Sequence, residues 1–269
     1  MGSGLRLVDR SPKGHNVAMA LTVAVGAGEV QLWFEASEDV SEAAQRSYHS
    51  WLTPPEVDQM ERFCFENDRL AYLCGRGLAR RALSGAVPAV HPAAWTFDLT
   101  RHGRPTIASP VAARPLDFNL THADGMVACA VSLSRCGIDI ESTTRPLPVD
   151  VLARSFAPEE VRDVLSAPET DSATRFFRYW TLKEAYAKAI GLGILLPFDG
   201  LVFRFPDGGS PVLAAAPLNS PAGHWCFGQW IIRDHHVVSV AVRASKSRVR
   251  FVFKHAELTS SCRTRRRRS

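Results

Sequence analysis

Two kinds of hydrophobic period alternate along this chain, and their order limits the folds open to it. VQLWFEA (Val30 to Ala36) reads as a strand. Helix signals follow: Thr53 and Glu56 bracket two prolines in the pattern of a capping box, and Asn67 or Asp68 can cap a second helix through DRLAYLCGRGLARRALS. In that helix Leu70, Leu73, Gly77 and Leu78 share a packing side; Gly75 and Gly77 each cost about 1 kcal/mol relative to alanine unless they allow close packing. From Trp95 to Glu141 the chain returns to short strands, WTFDL, DFNLTH, MVACAVSL and CGIDIE, punctuated by Gly, Asp or Pro. Helices recur in PVDVLARSF and APEEVRDVLS, then in a long run from Ser172 to Ile190 that Gly191 ends. LVFRF, HWCFGQWIIR, HVVSVAVR and RVRFVFK are strands again. Strands, helices and strands, twice over, predict an α+β chain of two comparable lobes, over residues 1–135 and 136–258. No sequence repeat accompanies the pattern.

Composition removes other classes. With 269 residues, 46% hydrophobic and 22% charged, the chain is neither a fibre, a coiled coil nor mostly disordered, and it is long enough to bury a sizeable core. No apolar run reaches the roughly 18 to 20 residues that cross a bilayer. The apolar stretch Val17 to Val25 is read as a first strand, not a signal peptide. The net charge of +5 would fit a nucleic-acid binder, but Arg263 and Arg265 to Arg268 account for it. Without these arginines the basic residues match the 27 acids, so the basicity belongs to a tail, 259–269, expected to be disordered, or else to act as an electrostatic lure for an acidic partner or nucleic acid. Cys64, Cys74, Cys129, Cys136, Cys226 and Cys262 form no CxxC pair and fit free thiols in a reducing cytoplasm.

Two acidic clusters carry the chemistry. In CGIDIE, Asp139 and Glu141 lie two apart on a strand, so both emerge on one face while Ile138 and Ile140 point into the core. Paired carboxylates repel unless a cation or proton sits between them, so this face is either a metal site or a solvated acidic surface. On the long helix, Glu184 and Lys188 are four apart and adjacent, an arrangement that is also a routine helix-stabilising pair worth about 0.2–0.5 kcal/mol. Trp180 lies one turn before Glu184, and Lys183 about 100° around the helix from it. His122, at the end of DFNLTH, gains meaning only from company.

That company is specific. THADG, GIDIE, FAPEE and WTLKEAYAKAIGLG, in this order and separation, resemble the 4'-phosphopantetheinyl transferases, in particular their two-lobed Sfp-like monomeric type; the likeness runs from about Thr53 to Phe203. The resemblance implies two similar α/β lobes in a pseudo-twofold arrangement, with coenzyme A in the cleft between them. It implies transfer of the 4'-phosphopantetheine group from coenzyme A to a serine of an acyl or peptidyl carrier protein, releasing adenosine 3',5'-bisphosphate, with no membrane or nucleic acid as partner. Asp139, Glu141 and Glu184 would bind Mg²⁺, with Glu160 as a supporting acid. Glu184, Lys188 and His122 would be catalytic. Thr121, His122, Lys183, Lys188 and Arg104, the basic residue of a turn that is Gly-Lys-Pro in the family, would meet coenzyme A. Where the family's type member has lysines for the 3'-phosphate this chain has Glu56 and Gln59; Arg62, Arg76, Arg80 or Arg81 could substitute, with Arg76 and Arg81 the candidates. Two rival readings use other features: a metal-dependent phosphohydrolase with the same carboxylates, and a nucleic-acid-binding module that uses the basic tail.

Overall fold

A computed structural model describes residues 5–7, 21–217, 223–244 and 249–255. The basic tail, Cys262 and residues 17–20 lie outside the described residues. The main elements are β1 (Glu29–Ala36), α1 (Glu42–Trp51), α2 (Pro54–Glu61), α3 (Glu66–Ala86), β2 (Asp117–Ala123), β3 (Met126–Ser132), β4 (Cys136–Ser142), α4 (Val149–Ser155), α5 (Pro158–Leu165), α6 (Glu169–Ile190), β5 (His224–Ile232), β6 (His236–Ala244) and β7 (Arg250–His255). Short ribbons at 96–99 with 105–109 and 202–204 with 212–215 flank them.

The strands form two sheets that pack face to face. One has the order β7-β1-β3-β2 and the other β5-β6-β4. Between them lies an apolar layer: Val30, Leu32, Phe34, Met126, Ala128 and Ala130 from the first sheet meet Ile138, Ile140, Val238, Val240 and Val242 from the second. A strand buried on both faces needs apolar residues at every position, and β3, MVACAVS, is buried throughout. Its other face, with Val127, Cys129 and Val131, packs under α3 through Leu73, Leu78, Ala82 and Leu83. The second sheet repeats the arrangement with α6: Leu182, Ala185, Tyr186 and Ala189 cover Val237 and Ala241. The result is helix, sheet, sheet, helix, the mixed α+β architecture expected of the sequence.

One strand crosses the expected division. RFVFKH, assigned from sequence to the second lobe, hydrogen-bonds in parallel to β1 of the first sheet, Arg250 opposite Glu29 and Phe253 opposite Leu32. Its aromatic residues explain the choice, because Phe253 stacks on Phe34 while both Phe251 and Phe253 take the edge of Trp230 from the second sheet.

Candidate active site

The site forms where β2, β4 and α6 meet. Alternation on β4 sends Ile138 and Ile140 into the inter-sheet layer and turns Gly137, Asp139 and Glu141 toward α6. Gly137 permits the approach: a Cβ there would stand 2.1 Å from the Ala185 carbonyl oxygen and 2.5 Å from the Ala189 nitrogen, both backbone. The helix therefore lies directly on the strand, at the residues next to Glu184 and Lys188.

β2 binds β4 from the other side through its alternate polar residues. The Asp117 carboxylate accepts the Cys136 N–H at 2.8 Å, the Asn119 side-chain oxygen accepts the Ile138 N–H at 2.9 Å, and the Thr121 hydroxyl donates to Asp139 Oδ1 at 3.1 Å. Asp117 and Asn119 thereby satisfy backbone donors at a strand edge that would otherwise be buried without partners, and Thr121 satisfies the Asp139 carboxylate. Lys188 Nζ reaches the same place from α6, 2.5 Å from Asp139 Oδ1 and 3.1 Å from Thr121 Oγ1. Asp139 is 4% exposed, and its second oxygen, Oδ2, is buried without a hydrogen-bond partner.

The electrostatics are those of crowded acids. Burial pushes the Asp139 carboxyl up and Lys188 pulls it back. Glu141 is raised by burial and then by the Asp139 charge, while Arg145, ion-paired to it, and a hydrogen bond from Trp180 work the other way. Glu184 is raised to about 7, by burial first, with Asp139 and Glu141 adding repulsion against the attraction of Lys188. Lys188 thus compensates Asp139 and Arg145 compensates Glu141. As arranged here, no three His, Cys, Asp or Glu among the described residues stand gathered to hold a metal ion.

A groove leads to this point in two adjoining hollows that share Pro105 and Leu120. One, about 240 Å³, is lined by Tyr72, Arg76, Thr121 and His122; the other, about 210 Å³, by His102, Arg104, Lys188 and Gly191. His122 is on the exposed rim, and its pKa is lowered by desolvation against the groove and then by the Lys188 charge, so the ring is neutral near pH 7. Arg76 lies over the Tyr72 ring with its Nε 3.6 Å from Glu56.

The remaining sequence candidates sit elsewhere. Lys183 is fully buried on the far side of α6, where Nζ pairs with Glu160 at 2.7 Å and donates to the carbonyls of Phe198 and Leu201. Glu160 is 1% exposed and also accepts the N–H groups of Ala157 and Phe203, so it braces α5 against the strand at 202–204 instead of reaching the acids. Arg81 donates to Glu35 and Tyr48, and Arg80 is buried against Glu56. Glu56 thus holds both Arg76 and Arg80. Arg104 does line the groove, yet its guanidinium turns inward, to Asp117, the carbonyls of Phe118 and Cys136, and that of Lys188. Sequence reading passed over Asp117 and Asn119. Their signal was the polar alternation Asp117, Asn119, Thr121 within an otherwise apolar strand.

Comparison with known proteins agrees with the motifs. The family model described as 4'-phosphopantetheinyl transferase, N-terminal, matches residues 39–134, and that of the 4'-phosphopantetheinyl transferase superfamily matches 135–241. The 4'-phosphopantetheinyl transferase HetI of a Nostoc species is 36% identical over 168 residues, covering 62% of this chain and 70% of that one. Sfp of Bacillus subtilis, named likewise, is 26% identical over 182 residues, 68% and 79% of the two chains. A solved holo-(acyl-carrier-protein) synthase of Bacillus anthracis, in complex with CoA (3',5'-ADP), aligns with 42% of this chain and 97% of its own at 22% identity and a TM-score of 0.34. The phosphohydrolase and nucleic-acid readings find no support among these relatives. With both halves matched in order, and a relative above 30% identity aligned over more than two thirds of its length, the chain belongs to the 4'-phosphopantetheinyl transferases, of the Sfp-like type.

Proposed function

We propose that the protein moves the 4'-phosphopantetheine group of coenzyme A onto a serine hydroxyl of an acyl or peptidyl carrier protein, releasing adenosine 3',5'-bisphosphate. The observation that carries this reading is the joining of Asp139, Thr121 and Lys188 in one hydrogen-bonded cluster beside Glu184 and the groove.

The donor set fits Mg²⁺. Asp139, Glu141 and Glu184 offer hard carboxylate oxygens, their mutual repulsion asks for a cation, and Asp139 Oδ2 has no partner to give up. These three residues would hold the ion, which when bound supplies positive charge to the diphosphate. Glu160, buried against Lys183, is not part of this set in our reading.

The chain's own groups account for the rest. Transfer breaks the diphosphate and leaves negative charge on the departing phosphate, and the Lys188 ammonium, facing the groove, neutralises it. Neutral His122 donates a ring N–H to a phosphate oxygen from the rim, and Thr121 fixes Asp139 and Lys188 relative to one another. Arg76, in the hollow under α3, is the nearest cation for the 3'-phosphate. A serine hydroxyl is a weak nucleophile until its proton is taken, and the Glu184 carboxylate, beside the cluster, is the group of this chain we assign to take it.

The reaction requires an acceptor, and that requirement separates transferase from hydrolase. Adenosine 3',5'-bisphosphate should appear from coenzyme A and Mg²⁺ only when an apo carrier is present, mole for mole with modified carrier. Release at the same rate without carrier would contradict transfer.

A further inference from the structure

We propose that Arg104 is a positioning residue that sets the Lys188 to Asp139 contact, and not a ligand of the nucleotide; the inference rests on the transferase reading above. The three groups of the site cluster come from three elements, Thr121 from β2, Asp139 from β4 and Lys188 from α6. The Arg104 guanidinium is bonded to those same three elements. Nη2 donates to Asp117 Oδ2 at 2.7 Å and to the Phe118 carbonyl at 3.1 Å on β2, and to the Cys136 carbonyl at 2.9 Å at the start of β4. Nη1 donates to the carbonyl of Lys188 itself, in the last turn of α6. Asp117 closes the set by accepting the Cys136 N–H at 2.8 Å.

The physical case has three parts. The Lys188 carbonyl, in the last turn of α6, accepts the Gly191 N–H at 3.2 Å and takes Arg104 as a second donor, and a cation there meets the negative end of the helix dipole. The turn before it is built to send the side chain inward: Gly103 adopts φ +79°, and Arg104 is pinned by its N–H to the Thr100 hydroxyl at 3.1 Å and by its carbonyl, which accepts from the Thr100 N–H at 2.9 Å. Finally, only a planar fork with several N–H groups reaches acceptors on three elements at once; a lysine ammonium in the same space has three donors at one point. With Arg104 7% exposed, Nη2 serves three inward acceptors, Nη1 serves the Lys188 carbonyl and Nε is buried without a partner, so the guanidinium is directed inward and not at the groove.

Arg104→Lys and Asp117→Asn test this together. Asp117 lines a different hollow, with Arg114, Ser134 and Arg135, and none of the groove. Both variants, assayed at a temperature where thermal denaturation shows them folded, are compared with wild type on coenzyme A and on 3'-dephospho-coenzyme A, with an apo carrier. Displacement of Lys188 predicts kcat falling by about 100-fold in Arg104→Lys and in the same direction in Asp117→Asn. KM for coenzyme A and the preference for coenzyme A over its dephospho form should stay as in wild type. A raised KM with lost preference in Arg104→Lys, and wild-type behaviour in Asp117→Asn, would overturn the proposal in favour of nucleotide contact; unchanged kcat in both would overturn it outright. Amide hydrogen exchange gives a readout free of the assay: faster exchange confined to 187–192 and 136–139 is expected in both variants, and unchanged exchange there contradicts the proposal. A wild type that transfers nothing to any carrier would instead sink the functional reading.

Discussion

Glu184 shows how one residue's surroundings become a measurable property of the protein. Its pKa of about 7 means that the folded state holds a proton the unfolded state has already released above pH 4.5. As pH rises from 4.5 through 7 the metal-free protein should therefore lose stability, by at most about 3 kcal/mol. Glu184→Gln removes the titration. Urea denaturation should find the metal-free variant more stable than wild type at pH 8 and equal to it near pH 4; equal stability at both would show that Glu184 is not crowded by Asp139 and Glu141. In the assay, Glu184→Gln and Asp139→Ala should each lower kcat by about 100-fold or more, because charge stabilisation in the transition state is lost. Asp139 with Glu141, and Glu184 with Lys188, were legible as candidates in the sequence, since spacing of two on a strand and four on a helix puts side chains on one face, whereas Thr121 and His122 came from the resemblance alone. Lys183 was not. Neighbouring helix positions differ by about 100°, and from sequence alone either side of α6 can be the buried one; tertiary packing chose the side with Glu160.

At the scale of elements, the contact of β4 with α6 decides the site's geometry. Gly137→Ala puts a methyl group against helix backbone that cannot step aside as a side chain would. Overpacking of this kind costs about 1–3 kcal/mol, and the displaced helix carries Glu184 and Lys188 with it. Denaturation should show that loss, and transfer should fall further than the folded fraction; a variant as stable and active as wild type would mean the helix is not fixed by this contact. The Lys183 to Glu160 pair makes a separate prediction. Lys183→Ala strands a buried carboxylate and should cost about 3–5 kcal/mol in unfolding, while KM for coenzyme A in the folded protein stays unchanged, because Nζ faces Phe198 and Leu201 and not the groove. A raised KM without lost stability would return Lys183 to the substrate.

Element boundaries followed sequence rules where the chemistry is local. Half of the capping box at Thr53 forms, with the Glu56 carboxylate accepting the Thr53 N–H at 2.9 Å and also the Thr53 hydroxyl, and Gly191 ends α6 in the left-handed region at φ +77°. α3 starts at Glu66, earlier than Asn67 or Asp68 would set it, and Gly77 in it makes room for the Tyr48 ring. The helix α1 escaped the sequence reading because its apolar stripe is short, Ala44, Tyr48 and Trp51 at spacings of four and three with only Tyr48 fully buried; a further signal is Ser41, whose hydroxyl accepts the Ala44 N–H.

For the molecule as a whole, sequence order conveyed two lobes but not how they join. Long-range pairing such as that of β7 with β1 leaves no local trace, and Phe251 and Phe253 read equally well as part of either half until Phe34 and Trp230 are seen around them. The joint matters for activity, since β2 of the first sheet and β4 of the second bring Thr121 to Asp139 at the seam, and the groove runs along it. Intact mass of an apo carrier protein, after incubation with this protein, coenzyme A and Mg²⁺, tests that account most directly. Wild type should add one phosphopantetheine group to the carrier's serine and Asp139→Ala almost none. An unchanged carrier mass with wild type, across fatty-acid, polyketide and peptide-synthetase carriers, would contradict it.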